Sequence, residues 1–341
     1  MSRQLKNFLQ YLAILAVTAV LVVISLRGLN VGDGESKWDY LSRTWAEADK
    51  LWLIVMAVIA IVSHIIRAHR WVMLLEPIGY QPKLTHSFYA LMVGYLVNLV
   101  IPRGGELSRC YNLYKLDKIP VAESFGTVVI ERIIDLLCLV LLVALSFALE
   151  TGKLVAFVET LPIELSGNRK IITLLIVAAV VLLVLFAVYW ALRKNKKISN
   201  ALSTTWTSFA SGLRSVQKLR RKRLFVIESI LIWFLYFVMS YAVLKAFPAT
   251  ADLNVSAVLS LFAIGAIAMA APLPGGTGSY HVLVPQGLTF LYGISLSDAV
   301  AFTFIFHAWQ TALLIVLGAA SLIVTSVIVK RRSAAVAHQK E

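Results

Sequence analysis

Apolar residues run in long blocks along this chain, with short polar stretches between them. Predominantly apolar blocks at 8–26, 51–75, 121–149, 171–192, 224–247 and 298–329 are each long enough to cross a hydrocarbon layer as a helix. Four shorter arms, 84–101, 106–116, 255–271 and 279–292, come in two pairs. No segment alternates polar and apolar with the period of a transmembrane barrel strand. The pattern predicts an all-α polytopic membrane protein with about six spanning helices and two re-entrant broken-helix hairpins. All of 1–341 is expected to form one integral membrane domain.

The hairpins follow from what joins the paired arms. The first pair meets at Pro102-Arg103-Gly104-Gly105-Glu106, the second at Pro272-Leu273-Pro274-Gly275-Gly276-Thr277-Gly278. Proline removes a backbone donor and glycine frees the backbone, so a helix stops at each break. Broken backbone at membrane depth is tolerated only where protein buries it or where it lines a wet cavity. Gly104 and Gly276 stand in register with the two prolines, since 274 − 102 and 276 − 104 both equal 172. The same shift brings 51–75 onto 224–247 and 121–149 onto the last helix. The chain is therefore expected to hold two repeats, about 51–149 and 224–329, joined by a basic connector at 193–223.

Composition fits a membrane class: 59% of the residues are hydrophobic and 15% charged, with a mean hydropathy of +0.81. The formal net charge of +14 clusters in loops beside apolar blocks, which reads as positive-inside and not as nucleic-acid binding. The connector 193–223 carries ten Lys/Arg and no acid. It also repeats Ile198, Leu202, Trp206, Phe209, Leu213, Val216 and Leu219 at helical spacing, so an amphipathic helix in the membrane interface is expected there. Arg67, His69 and Arg70 mark a second cytoplasmic end, and Lys330, Arg331 and Arg332 a third. The loops 27–50, 150–170 and 248–254 lack basic excess and are placed outside. The first block is too long for a signal-peptide core and lacks a small-residue cleavage site, so it is kept as a helix. Both termini then lie in the cytoplasm of a prokaryotic plasma (inner) membrane. Each arm pair must enter and leave on one side, and the two repeats are inverted. Inverted repeats with discontinuous helices point to transporters, with the site at the repeat interface.

Charges placed inside apolar segments are the candidate chemistry, because each is costly there. The first break offers Asn98, Arg103, Gly104, Gly105, Glu106 and Arg109; the helix at 121–149 adds Glu131, Arg132 and Asp135. Glu131 and Asp135 are four apart and share a helix face, so a cation or proton must accompany them. Two readings stay open: an ion network that locks the hairpin to this helix, or a headgroup site. The second break supplies Pro274, Gly275, Gly276, Gly278 and His281. The same shift places Thr303, His307 and Gln310 on one face of the last helix. Cys110 and Cys138 suggest neither a disulfide framework nor a metal site. No nucleotide or metal-binding motif is present, so no cofactor and no metal is expected.

The pattern Asn98…Pro102-Arg103-x-Gly105-Glu106-x-x-Arg109…Glu131-Arg132-x-x-Asp135, followed by Pro272-x-Pro274-Gly275-Gly276-x-Gly278, resembles the flippase-like membrane domain of lysylphosphatidylglycerol synthases. The resemblance covers roughly residues 8–330. It implies movement of a phospholipid between leaflets, the lipid being made in full synthases by a separate soluble domain. The 341 residues leave no room for that domain, so a stand-alone membrane domain is expected. Relatives carry an acidic residue shortly after the second Gly-rich turn, where this chain has Tyr280-His281. The expected function is lipid translocation, with Arg103, Arg109 and Arg132 on the phosphate. The acids would balance them or meet a cationic headgroup. Expected partners are membrane lipids: an anionic or aminoacylated phospholipid, or a polyprenyl-phosphate lipid. A membrane-embedded transferase acting on a lipid phosphate, or an ion-coupled solute carrier, is the alternative.

Overall fold

Helix starts and stops follow local chemistry. Asp49 caps a long apolar helix by accepting from the Leu51 N–H at 2.8 Å, and Ser36 and Asp39 form a reciprocal capping box ahead of a short amphipathic one. A computed structural model describes residues 16, 18–31, 34–160, 207, 211, 214–270 and 273–338. Within them the elements are α1 (Thr18–Arg27), α2 (Lys37–Glu47), α3 (Lys50–Leu75), α4 (Leu84–Asn98), α5 (Gly105–Asp117), α6 (Val121–Leu149), α7 (Thr151–Thr160), α8 (Lys222–Ala246), α9 (Val255–Ala270), α10 (Ser279–Tyr292) and α11 (Leu296–His338). No strand occurs among the described residues.

The all-α class is as expected, with differences in detail. Among the described residues three stretches are long and apolar enough to cross a membrane: Lys50–Ile78, Lys222–Ala246 and Leu296–Ala334. α2 occupies a segment read as an outside loop. Its Trp45 ring lies 5.8 Å from that of Trp309 on α11, so the helix is held by the core it covers. α7 likewise occupies part of the expected loop 150–170, with Leu154 and Phe157 buried beside Ile264 of α9. The block 171–192 and most of the connector 193–223 lie outside the described residues.

Packing is reciprocal between the two halves. α3 lies along α8; α4 pairs with α5 and α9 with α10; α11 packs on α4 while α6 packs on α9. Met56 and Ala60 of α3 meet Met239 and Val243 of α8 in the main core, which Leu288 and Phe302 complete from α10 and α11. Outward faces are apolar too. Ile54, Val58 and Ile65 on α3, Leu137, Val140 and Leu141 on α6, and Val316 and Ile323 on α11 are exposed. Apolar faces of this extent suit lipid as their solvent and not water.

Both breaks fold as turns between helices, but by different means. In the first, Gly104 is right-handed, with φ −71°, and the left-handed residue is Arg103, with φ 61°. The glycines serve close approach instead of φ. A Cβ on Gly105 would sit 2.2 Å from the carbonyl oxygen of Gly94 on α4. Asn98 completes the joint, its Oδ1 accepting from the Gly105 N–H at 2.7 Å. In the second, Gly276 and Gly278 are themselves left-handed, with φ 72° and 105°, as the release of φ by glycine predicts.

Candidate functional site

α6 carries the acids into the protein interior. Glu131, fully buried, faces three guanidinium groups: Arg67 Nε at 2.8 Å, Arg109 Nη2 at 3.0 Å and Arg70 Nη2 at 3.4 Å. One turn further on, Asp135 accepts from Arg70 Nη2 at 2.8 Å and from Arg67 Nη2. Arg67 also donates to Tyr236 Oη on α8 at 2.9 Å. Helical spacing explains the grip. Arg67 and Arg70 are three apart on α3, and Glu131 and Asp135 four apart on α6, so two faces mesh. The cluster is sealed behind Arg109, whose guanidinium carbon lies 4.7 Å from the Trp71 ring centroid. Trp71 in turn donates to Thr127 Oγ1 at 2.9 Å.

Arg132 points the other way. Its side chain is 39% exposed and lies 3.4 Å from Glu106 at the start of α5 and 3.7 Å from Asp135. Here the cluster opens into a cavity of about 790 Å³ between the two halves. Asn98, Arg103, Glu106, Arg132 and Asp135 line it from the first half. Gly276, Tyr280, His307 and Gln310 line it from the second. Apolar side chains such as Leu139, Leu261, Phe262 and Phe306 form the remaining wall. A smaller hollow of about 560 Å³, near Tyr80 and Arg214, lies away from the ion cluster.

Not every expected site residue reaches the cavity. Arg109 and Glu131 stand behind it, at 2% and 0% exposure; Gly104 and Gly105 shape the hairpin joint; Pro274 and Gly275 form the second turn. His281 is buried one layer back. Its ring lies 4.7 Å from His307, its Nδ1 accepts from the Gly278 N–H at 3.4 Å, and its carbonyl accepts from Ser25 Oγ at 2.6 Å. Tyr280 stacks on His307 at 5.6 Å. Among the described residues no group of three or more His, Cys, Asp or Glu could hold a metal ion.

Arg67 and Arg70 are the cluster residues that sequence reasoning leaves out of the candidate site. It puts them at a cytoplasmic helix end, yet they are 4% and 0% exposed at the heart of the cluster. The available signal is their position inside an apolar helix that continues to Leu75 beyond them. Their carboxylate partners lie more than sixty residues later in the chain, so no local pattern pairs them.

A helical protein with apolar outer faces, broken helices and a buried ion cluster beside an internal cavity is an integral membrane protein. The sequence matches the family described as the lysylphosphatidylglycerol synthase TM region over residues 11–318, and the chain belongs to that family. It is 32% identical over 87 residues to a UPF0104 membrane protein of Methanocaldococcus jannaschii, covering 25% of this chain and 26% of that one. To the glycosyltransferase AglD of Haloferax volcanii it is 27% identical over 310 residues, 81% of this chain and 49% of that protein. To a UPF0104 membrane protein of Methanothermobacter thermautotrophicus it is 25% identical over 294 residues, 77% of this chain and 82% of the relative. The matches thus span about a quarter of the first of these relatives and about half of the second. No solved structure matches.

Proposed function

We propose that this protein is a flippase-like lipid translocase, moving a lipid with a phosphate headgroup between leaflets through the cavity between its two halves. One observation carries the reading: a single cavity joins arginine side chains to apolar walls. A crossing headgroup needs a polar path, while its acyl chains need none. Arg103 and Arg132 line that path, and guanidinium matches phosphate oxygens bidentately.

The reciprocal packing supports two inverted repeats, about 51–149 and 224–329, with α4–α5 and α9–α10 as re-entrant hairpins entering from opposite faces. In this reading 150–160 and 248–254 face outward, the connector 193–223 and both termini face the cytoplasm, and the membrane is a prokaryotic plasma membrane.

The glycosyltransferase relative favours a second reading, a membrane-embedded transferase acting on a lipid phosphate. Such chemistry needs a carboxylate poised to take a proton. Glu131 and Asp135 are each held by at least two arginines, and Glu106 is held by Arg132. That occupancy favours translocation.

The test is transport of fluorescent phosphatidylglycerol in reconstituted vesicles, with binding and melting measured on the same preparation. Arg103→Lys and Arg132→Lys keep charge but lose the fork, so near-native melting with weaker binding and slower transport is expected. Rates in both variants equal to wild type would remove these arginines from the path. A wild-type rate equal to that of empty vesicles would remove the function.

A further inference from the structure

The cavity has two unlike ends, and its charge can be counted. Arg67, Arg103 and Arg132 line it, against Glu106 and Asp135. Directly behind stand Arg70 and Arg109, against Glu131. Among the described residues five arginines therefore stand with three carboxylates. Protonation of His64 or His307 in the same wall would only enlarge the excess. Among the described residues the buried part of the cluster sets Arg67, Arg70 and Arg109 against Glu131 and Asp135, one cation in excess, and because uncompensated buried charge is costly, an anion is the ligand this end stabilises.

Among the described residues no acid in this wall is left to receive a cation. Among the described residues the carboxylates lining the cavity are Glu106 and Asp135 alone. Asp135 is bound by Arg67, Arg70 and Arg132, and Glu106 by Arg132. Across the cavity, the second half presents uncharged groups: Trp233, Tyr236, Ser240, Tyr280 and Gln310. Gln310 can donate and accept at once, and tyrosine and serine hydroxyls do the same. Aromatic faces beside such groups suit a hydroxylated, neutral moiety with both polar edges and C–H faces.

We propose that the cavity selects a lipid whose phosphate is esterified to an uncharged polyol, and discriminates against a headgroup carrying an ammonium, the aminoacylated lipid included. The inference rests on the translocase reading and names its substrate class. The phosphate sits at the Arg103–Arg132 end, and the polyol reaches toward Gln310. An aminoacyl ammonium in the same place would meet a net positive wall, and like charges brought together across a binding surface strongly disfavour the wrong partner.

The experiment uses the full chain in nanodiscs of a zwitterionic lipid, with binding followed for four probes. These are phosphatidylglycerol, phosphatidic acid, lysyl-phosphatidylglycerol and the water-soluble glycerol 3-phosphate. Phosphatidylglycerol is expected to bind at least about tenfold more tightly than lysyl-phosphatidylglycerol, a difference of about 1.4 kcal/mol. Gln310→Ala should narrow the gap between phosphatidylglycerol and phosphatidic acid while leaving phosphatidic acid unchanged. Lysyl-phosphatidylglycerol binding within twofold of phosphatidylglycerol overturns the proposal, and so does a Gln310→Ala variant with the gap intact. Glycerol 3-phosphate binding as tightly as the lipid also overturns it, by making the occupant a free phosphate. Transport of phosphatidylglycerol on the same preparation separates the two levels. If transport persists without selectivity, only the substrate class fails; if neither lipid binds nor moves, the translocase reading fails with it.

Discussion

Glu131→Gln isolates the buried cluster, because it keeps the side-chain shape and removes one charge. Glu131 is the shared partner of Arg67, Arg70 and Arg109, and its side chain has no exposed surface. The amide leaves those three guanidinium groups facing a neutral oxygen, with Asp135 as the remaining buried acid. Removing one partner of a buried ion pair costs about 3–5 kcal/mol, since the other charge stays buried and unpaired. At about 2 °C per kcal/mol for a protein of this size, the melting temperature should fall by roughly 6–10 °C. The control is Arg132→Gln. Arg132 is 39% exposed and 3.4 Å from Glu106, so its loss should cost no more than about 1 kcal/mol, or about 2 °C. Adding Arg109→Met to Glu131→Gln should recover part of the loss, because one unpaired cation leaves with it. Thermal unfolding in one detergent, followed by intrinsic fluorescence, gives all four values. A Glu131→Gln melting point within about 2 °C of wild type, or an Arg132→Gln loss as large as that of Glu131→Gln, would refute the assignment of Glu131 as the hub.

Gly105→Ala should lower stability by about 1–3 kcal/mol, because its Cβ would lie 2.2 Å from the Gly94 oxygen and the helices must separate; unchanged melting would show that the α4–α5 joint is loose. Cysteines placed at Gly152 and Asp252 should be labelled from outside and one at Gln217 from the cytoplasm, above the background of Cys110 and Cys138; the same side for all three would end the inverted topology. Tyr40 ties α2 to α11, its hydroxyl donating to Asp298 Oδ1 at 2.6 Å. Burial first, then this bond, push its phenol up to about 12. A raised phenol stabilises while protonated, so the tie should be intact below pH 10 and be lost as pH rises through about 12. Asp298→Asn should bring the phenolate absorbance in at lower pH.

Much of the framework is legible in the sequence because its causes are local. The apolar block 121–149 forms α6 with the same bounds, and Gly276 and Gly278 turn the second break through positive φ, as glycine's backbone freedom predicts. Two kinds of feature are not legible. Lys37, Asp39, Arg43 and Glu47 interrupt α2, so it does not read as an apolar block. Its one sequence signal, Ser36 three before Asp39, uses Asp where a capping box more often has Glu or Gln. The ion cluster is assembled from α3, α5 and α6. Sequence places Arg109, Glu131 and Asp135 among candidates, but charge near a helix end also serves orientation, and that rule absorbs Arg67 and Arg70. Only the meshing of helix faces distinguishes an anchored arginine from an interfacial one.

The left-handed backbone of Arg103 sets stability against the headgroup contact proposed for its side chain. A non-glycine residue in that region costs about 1–2 kcal/mol, and glycine there would relieve it. Arg103→Gly should thus yield a turn that folds at least as well and a cavity with one cation fewer. A laboratory screen that ranks variants by heat resistance alone would enrich that glycine. If the protein moves lipid as proposed, a screen for growth that depends on that movement would discard it.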